Sequence, residues 1–284
     1  MVADYQGREY PAGMTGLRGN GREAEMTQIS PAPLLAAALL LGATCLVPDG
    51  AEAADPNTLW NIVHGKCVPE RLRTGAPDPC AAVHIRHGVR RGYAVLKDIV
   101  GPAQYLLIPT SRISGIDSPA VLAPNGQNYF SHAWRQRRFV ERRLHRALPP
   151  EDTSLAVNSA EGRSQNQLHI HIDCVRADVR DSLRRQQAGI GRQWKPLPAR
   201  LLGHRYLAMR VEGDRLDANP FKLLASRLPH ARTRMGKYSL VVVGEKSARH
   251  RSGFLILAAR ADAAGGAASG EELQDHACTV AREP

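Results

Sequence analysis

The sequence predicts an α+β fold, an antiparallel sheet with flanking helices, and three observations carry that prediction. Short apolar runs bounded by Gly and Pro read as strands. An arginine-rich stretch with apolar residues near helical spacing separates two pairs of them. After the loop around Trp194 to Pro198 a weaker round of strands and helix follows, so the second half reads as a degenerate copy of the first; an extended sheet without repetition is the alternative.

Taken in chain order, Thr58 to Lys66 reads as a short helix, and Cys67 to Arg91, with Pro69, Gly75, Pro77 and Pro79, as an irregular loop stapled by its cysteines. Strands are expected at Tyr93 to Lys97 and Gln104 to Pro109, joined by the turn-forming Gly101-Pro102. From Gln127 to Leu148, Phe130, Trp134, Phe139, Val140 and Leu144 recur near helical spacing among arginines, which predicts an amphipathic helix ending before Pro149-Pro150. Ser154 to Asn158 and Gln167 to Val175 read as central strands, and Asp178 to Gln187 as a polar helix. The second round comprises a strand at Arg205 to Val211, a helix with Asn219 as N-cap and Pro220 first, and strands at Tyr238 to Val243 and Phe254 to Ala259. Ser269-Gly270-Glu271-Glu272 fits a capping box and predicts a C-terminal helix.

Residues 1–54 form an N-terminal extension distinct from a domain at 55–284. Thr27 to Pro48 carries no charge, centres on the apolar run Leu34 to Val47, and is followed by Ala51-Glu52-Ala53, an A-x-A-type cleavage pattern. This reads as a secretory signal or membrane anchor, and the apolar run is shorter than a comfortable span of about 20 residues. Export leaves Cys67, Cys80, Cys174 and Cys278 in a compartment that permits disulfides. Four cysteines allow three pairings; the expected one joins Cys67 with Cys80 and Cys174 with Cys278. The net charge is +11, yet residues 1–54 hold six acidic and only three basic residues, so the domain is more basic than the whole chain. Such a surface favours phosphates, nucleotides or acidic lipid. Walker A, GxSxG, HExxH and Rossmann patterns are absent from the sequence, which sets several enzyme classes aside.

The most informative stretch is Gln167-Leu168-His169-Ile170-His171-Ile172-Asp173-Cys174. Alternation turns Leu168, Ile170 and Ile172 to one face and Gln167, His169, His171 and Asp173 to the other, with the two imidazoles roughly 6.6 Å apart by strand rise. One imidazole can attack phosphorus while the other donates to a phosphoryl oxygen. Two surface histidines on an amphipathic strand would give the same pattern. His-x-His-x-Asp also resembles the start of the metallo-β-lactamase zinc motif, although Cys174 stands where that motif has another histidine, and His204 or His276 would have to complete the ligand set.

Several separated segments resemble one family more specifically. Val95-Leu96-Lys97-Asp98-Ile99, Gln104-Tyr105-Leu106-Leu107-Ile108-Pro109 and the Asn158 to Asp173 stretch look like the two halves of a histidine-triad (HIT) nucleotide hydrolase. Gly92 to Asp98, Gly101 to Pro109, Asn158-Ser159 with Gly162 to Asn166, and Glu271 to Cys278 resemble the CDP-diacylglycerol pyrophosphatases. The resemblance implies a HIT-like sheet and cleavage of a nucleotide-lipid pyrophosphate without a cofactor or metal, giving CMP and phosphatidate. It implies that His169 is the nucleophile and His171 a phosphate contact, that Asp98 binds a ribose hydroxyl, and that Asn158 and Ser164 lie on the phosphate side. Gln167 stands at the first triad position, where the family has a histidine; its amide can keep the hydrogen bonding but not a proton shuttle. Lys97, His204, Tyr206, Arg210 and His276 are candidates for outer contacts. The partners implied are CDP-diacylglycerol and an anionic membrane surface, the latter met by Arg135, Arg137, Arg138, Arg142 and Arg143, with no nucleic acid. Localisation is expected at the bacterial inner membrane, with the catalytic domain periplasmic. The rival readings are a zinc-dependent phosphohydrolase and a non-catalytic binder of anionic lipid or nucleotide.

Overall fold

Nine strands form one antiparallel sheet in the computed structural model, which describes residues 55–246 and 252–282. The stretch read as an export signal lies outside the described residues. In chain order the strands are β1 Ala82–His84, β2 Tyr93–Lys97, β3 Tyr105–Pro109, β4 Thr153–Val157, β5 Ile170–Cys174, β6 Lys195–Pro196, β7 Leu207–Glu212, β8 Tyr238–Glu245 and β9 Gly253–Arg260. Their order across the sheet is β1-β2-β3-β5-β4-β8-β9-β7-β6. Outward from the central β4–β8 pair, one side runs β4-β5-β3-β2 and the other β8-β9-β7-β6. Strand order thus repeats about the centre of the sheet.

Among the described residues six α-helices flank it: α1 Thr58–Ile62, α2 Val68–Thr74, α3 Tyr129–Gln136, α4 Arg138–Leu144, α5 Ala177–Gln186 and α6 Pro220–Arg227. The first face is covered by α3 and α6, whose Phe130, Trp134, Phe221 and Leu224 pack on Leu107, Leu155, Ile170, Ile172, Val242 and Ile256. Each such buried side chain contributes about 1.5–3 kcal/mol relative to exposure. The second face has two separate covers. Leu59, Val63 and Val68 of the N-terminal helices lie over Ala94, Leu96, Leu106 and Ile108. Val179 and Leu183 of α5, with Leu201 and Tyr206, lie over Val241, Val243, Leu255 and Leu257. On that face, β5 presents His171 and Asp173 between the covers, and His169 stands immediately before the strand.

Three expectations are corrected. The N-terminal helix does not stop at Lys66: a π-helical turn at Val63–Cys67 carries it into α2, and Pro69, whose missing N–H would break a regular α-helical interior, falls just after that turn. The long arginine-rich helix is two, α3 and α4, meeting at Arg137. The C-terminal helix is only a 3-10 turn at Glu271–Leu273 and another at Thr279–Arg282. Its capping box does not form, because Glu272 accepts from the Tyr206 hydroxyl and pairs with His204, and the bridge Val175↔Gln274 holds the chain extended. Asn219 caps α6 as expected, accepting from Phe221 N at 3.0 Å.

Both expected disulfides are present, Cys67–Cys80 and Cys174–Cys278, as suits an oxidising compartment. The second, closing 104 residues, ties β5 to the C-terminal segment. Among the described residues no helix is long and apolar enough to cross a membrane.

Candidate active site

His169 and His171 stand at the gap between the two covers, only 8% and 5% exposed. Their rings meet edge to face with centroids 4.8 Å apart. Alternation along β5 puts them there, since Leu168, Ile170 and Ile172 are all drawn into the core of the opposite face. His169 Nδ1 lies 2.7 Å from the Gln167 carbonyl oxygen. A carbonyl only accepts, so Nδ1 carries the proton and Nε2 keeps a free lone pair. Burial disfavours the imidazolium and lowers the His169 pKa, against the opposing pull of that carbonyl and of Asp98.

His171 has the opposite tautomer. Gln104 Nε2 donates to its Nδ1 at 2.8 Å, which leaves the proton on Nε2. That nitrogen is 3.1 Å from Glu271 Oε1 but not aligned for a hydrogen bond, so a buried N–H is left without a true acceptor. Burial, followed by the proximity of His169 and His276, pushes its pKa well down. Asp98 Oδ2 lies 3.7 Å from His171 Nδ1, and Asp98 Oδ1 accepts from Val100 N. Burial raises the pKa of both Asp98 and Glu271.

The C-terminal segment forms one wall. Asn158 Oδ1 accepts from Gly270 N and the Ser269 hydroxyl, at 2.9 and 3.1 Å, while its amide donates to Glu271. Gln274 donates to Ser154 and to the His171 carbonyl. His276 Nδ1 is 2.7 Å from the fully buried Asp173, and that bond raises the His276 pKa. Opposite, a small cleft is lined by Ser114, Gly115, Asn158, Arg163 and His169. The Arg163 guanidinium pairs with Asp117 and lies directly over Gly115, where a Cβ would meet Nη1 at 2.3 Å.

Of the residues singled out from sequence, Asp98, Asn158, His169 and His171 converge. Ser164 is exposed, and its neighbour Arg163 faces the cleft instead. Gln167 is fully buried; its amide donates to Pro109 O and Ser111 O, bracing a loop, and only its backbone oxygen serves His169. His204 and Tyr206 engage Glu272, Arg210 engages Glu245, and Lys97 donates to Gly101 O at the turn. Sequence reasoning passed over Gln104, Arg163 and Glu271, although each lies inside a segment that carries the family resemblance. Their signal was available only as position, because a lone Gln, Arg or Glu has no pattern of its own. α3 packs on the face opposite the histidines, so its arginines do not flank the site; at the far end of α4, Arg143 donates to Pro102 O beside the Asp98 turn.

Among the described residues, the sole cluster with metal-ligand spacing is Asp173, Cys174 and Cys278, whose two sulfurs are joined in a disulfide. The set needed for the zinc reading is not assembled: His276 is turned to Asp173 and His204 to Glu272.

Two buried imidazoles beside polar atoms without hydrogen-bond partners make this the candidate active site of an α+β protein. A family model described as CDP-diacylglycerol pyrophosphatase matches residues 54–282. The chain belongs to that family, whose reaction is the hydrolysis of CDP-diacylglycerol.

Proposed function

We propose that His169 Nε2 attacks the phosphorus of the CMP half of CDP-diacylglycerol. The bridging bond breaks with its electron pair leaving on phosphatidate, and the cytidylyl-histidine is then hydrolysed by water to CMP. The observation that carries this reading is the His169 Nδ1–H···O=C bond to Gln167, which aims an unprotonated nitrogen into the gap between the covers. The unsatisfied His171 Nε2–H supplies a donor for a non-bridging phosphoryl oxygen, where charge grows in the transition state. Asp98 is suited to a ribose hydroxyl, and Asn158 positions Glu271 rather than meeting phosphate itself. A phosphate monoester leaves readily, so the step needs no strong acid and, on this reading, no metal. The strand order, repeated about β4–β8, supports a HIT-like fold with a duplicated half.

The place of work proposed is the outer face of the bacterial inner membrane, with the domain exported. The disulfides support this, as does the basic end of α4, where the exposed Arg142, Arg143 and Arg146 could neutralise anionic lipid.

The test is release of CMP and phosphatidate from CDP-diacylglycerol by the full chain, with and without EDTA, beside His169→Ala. Chelator-resistant release that vanishes in the variant is expected, with a CMP adduct on His169 trapped by rapid acid quench. Activity lost to EDTA would replace this reading with a metal-dependent one, and normal turnover by the variant would remove His169 from the chemistry.

A further inference from the structure

The site is electrically lopsided. On the His171 side stand three carboxyl groups, Asp98, Glu271 and Asp173, the last held by His276. On the His169 side, the cleft with Ser114, Gly115 and Asn158 holds one cation, Arg163. Its side chain is only 13% exposed, and Nη1 and Nη2 are taken by Asp117. Nε is buried and has no hydrogen-bond partner. Leaving a guanidinium N–H dry and unpaired is costly unless an acceptor arrives. The position is also built. Gly115 gives Arg163 the room it occupies, and Asp117 holds the guanidinium plane in one orientation.

A diphosphate ester bound across His169 has two unlike ends. Its nucleoside end offers hydroxyl and amino donors, which carboxylates accept; its other phosphate offers only acceptors, which carboxylates repel and a guanidinium matches. We propose that Arg163 binds the phosphate of the departing phosphatidate, fixing the direction in which CDP-diacylglycerol lies across His169. Asp117 and Gly115 are positioning residues for that contact. The assignment rests on the His169 reading above for which bond breaks, but the cation and its unpaired Nε belong to the cleft beside His169 whatever attacks.

The experiment compares two substrates of the full chain. One is short-chain CDP-diacylglycerol; the other is cytidine 5′-(4-nitrophenyl phosphate), whose leaving group carries no phosphate. In Arg163→Gln, kcat/KM for the first is expected to fall by about 10- to 100-fold, the size of a lost charge-assisted hydrogen bond, and that for the second to fall far less. Inhibition by short-chain phosphatidate should weaken by a similar factor while inhibition by CMP holds. Arg163→Lys, which keeps the charge without the planar fork, should recover part of the loss. An equal fall for both substrates, or unaltered phosphatidate inhibition, would overturn the assignment. Should His169→Ala still hydrolyse both substrates, the nucleophile reading fails alone, and the Arg163 comparison remains interpretable.

Discussion

The two sides of the sheet share a strand order and differ in what they do with the same face. In the half built from β2, β3, β4 and β5, that face carries His169 and His171; in the half built from β6 to β9, the facing residues of β9 are Leu255 and Leu257, sealed under α5. Polar groups follow the same division. In the second half Arg210 and Glu245, 6% and 3% exposed, close on each other through bonds of 2.6 and 2.8 Å. Around the histidines, His171 Nε2, Gln104 Oε1 and Arg163 Nε are buried and unsatisfied. The second half thus closes its most buried charged pair on itself, whereas the histidine side keeps several polar atoms without partners. Unsatisfied buried groups cost stability, which fits the proposal that those beside the histidines meet a substrate.

The largest expected effect breaks this comparison on the side of function. His169→Ala should abolish turnover and leave the melting transition near that of the parent, whereas Leu257→Ala should cost about 2–5 kcal/mol of stability as a buried cavity and leave turnover of the folded fraction intact. Denaturant titration beside the CDP-diacylglycerol assay separates the two. If Leu257→Ala removed activity from fully folded protein, the second half would be more than scaffold.

The disulfides sharpen the same contrast. Cys174–Cys278 closes 104 residues and Cys67–Cys80 closes 13. On a chain-entropy basis, loops of about 100 and about 15 residues correspond to about 4.7 and 3 kcal/mol. Replacing Cys174 and Cys278 by Ser should therefore destabilise more, and should also lower kcat/KM, because the segment holding Glu271 and His276 is tied to β5 through that bond. The Cys67/Cys80 double replacement should lower stability with little change in kcat/KM. Equal kinetic effects would deny the C-terminal wall its part in the site.

A comparable loss, about 3–5 kcal/mol, is expected for Glu245→Ala, which strands the buried Arg210 charge. Glu271→Gln, nearly isosteric and on the working side, should instead change the rate and leave the denaturation midpoint close to that of the parent. Urea titration of the two variants in parallel decides it.

How much of this was legible in the sequence depended on whether a feature is local. Alternation in 168–173 was enough to place His169 and His171 on one face, because strand periodicity is a property of neighbours. The Asn219-Pro220 start of α6 was readable for the same reason. The missing C-terminal helix was not: Ser269 to Glu272 has the local signature of a cap, and what overrides it is distant, Asn158 and Tyr206 reaching the segment from the centre of the sheet and from just before β7. Arg163 was hidden behind Ser164 because a loop has no periodicity to say which of two adjacent side chains turns inward. That the second half is closed was written in Leu255 and Leu257, but recognising them as counterparts of histidines required the strand order.

Proton linkage gives the smallest effect and tests both sides of the site together. His169 and His171 are buried and their pKa values lie below the ordinary 6.5, while that of His276, bonded to Asp173, lies above it. For the lowered pair, the unfolded chain binds more protons than the folded one between the folded values and 6.5, so their contribution falls as pH drops below about 6.5. For His276 the sign reverses: its contribution is full below about 6.5 and is lost as pH rises through its folded value. Acidification from pH 7 to 5 should thus destabilise the parent through His169 and His171, an effect reduced in His171→Asn. His276→Gln should remove the loss of stability on the alkaline side. In kinetics, a nucleophilic His169 must be neutral, so the acid limb of kcat/KM should fall at a pH below 6.5. A limb above 6.5 would mean that the imidazole gains, rather than loses, protons on folding, and the buried neutral nucleophile would have to be given up.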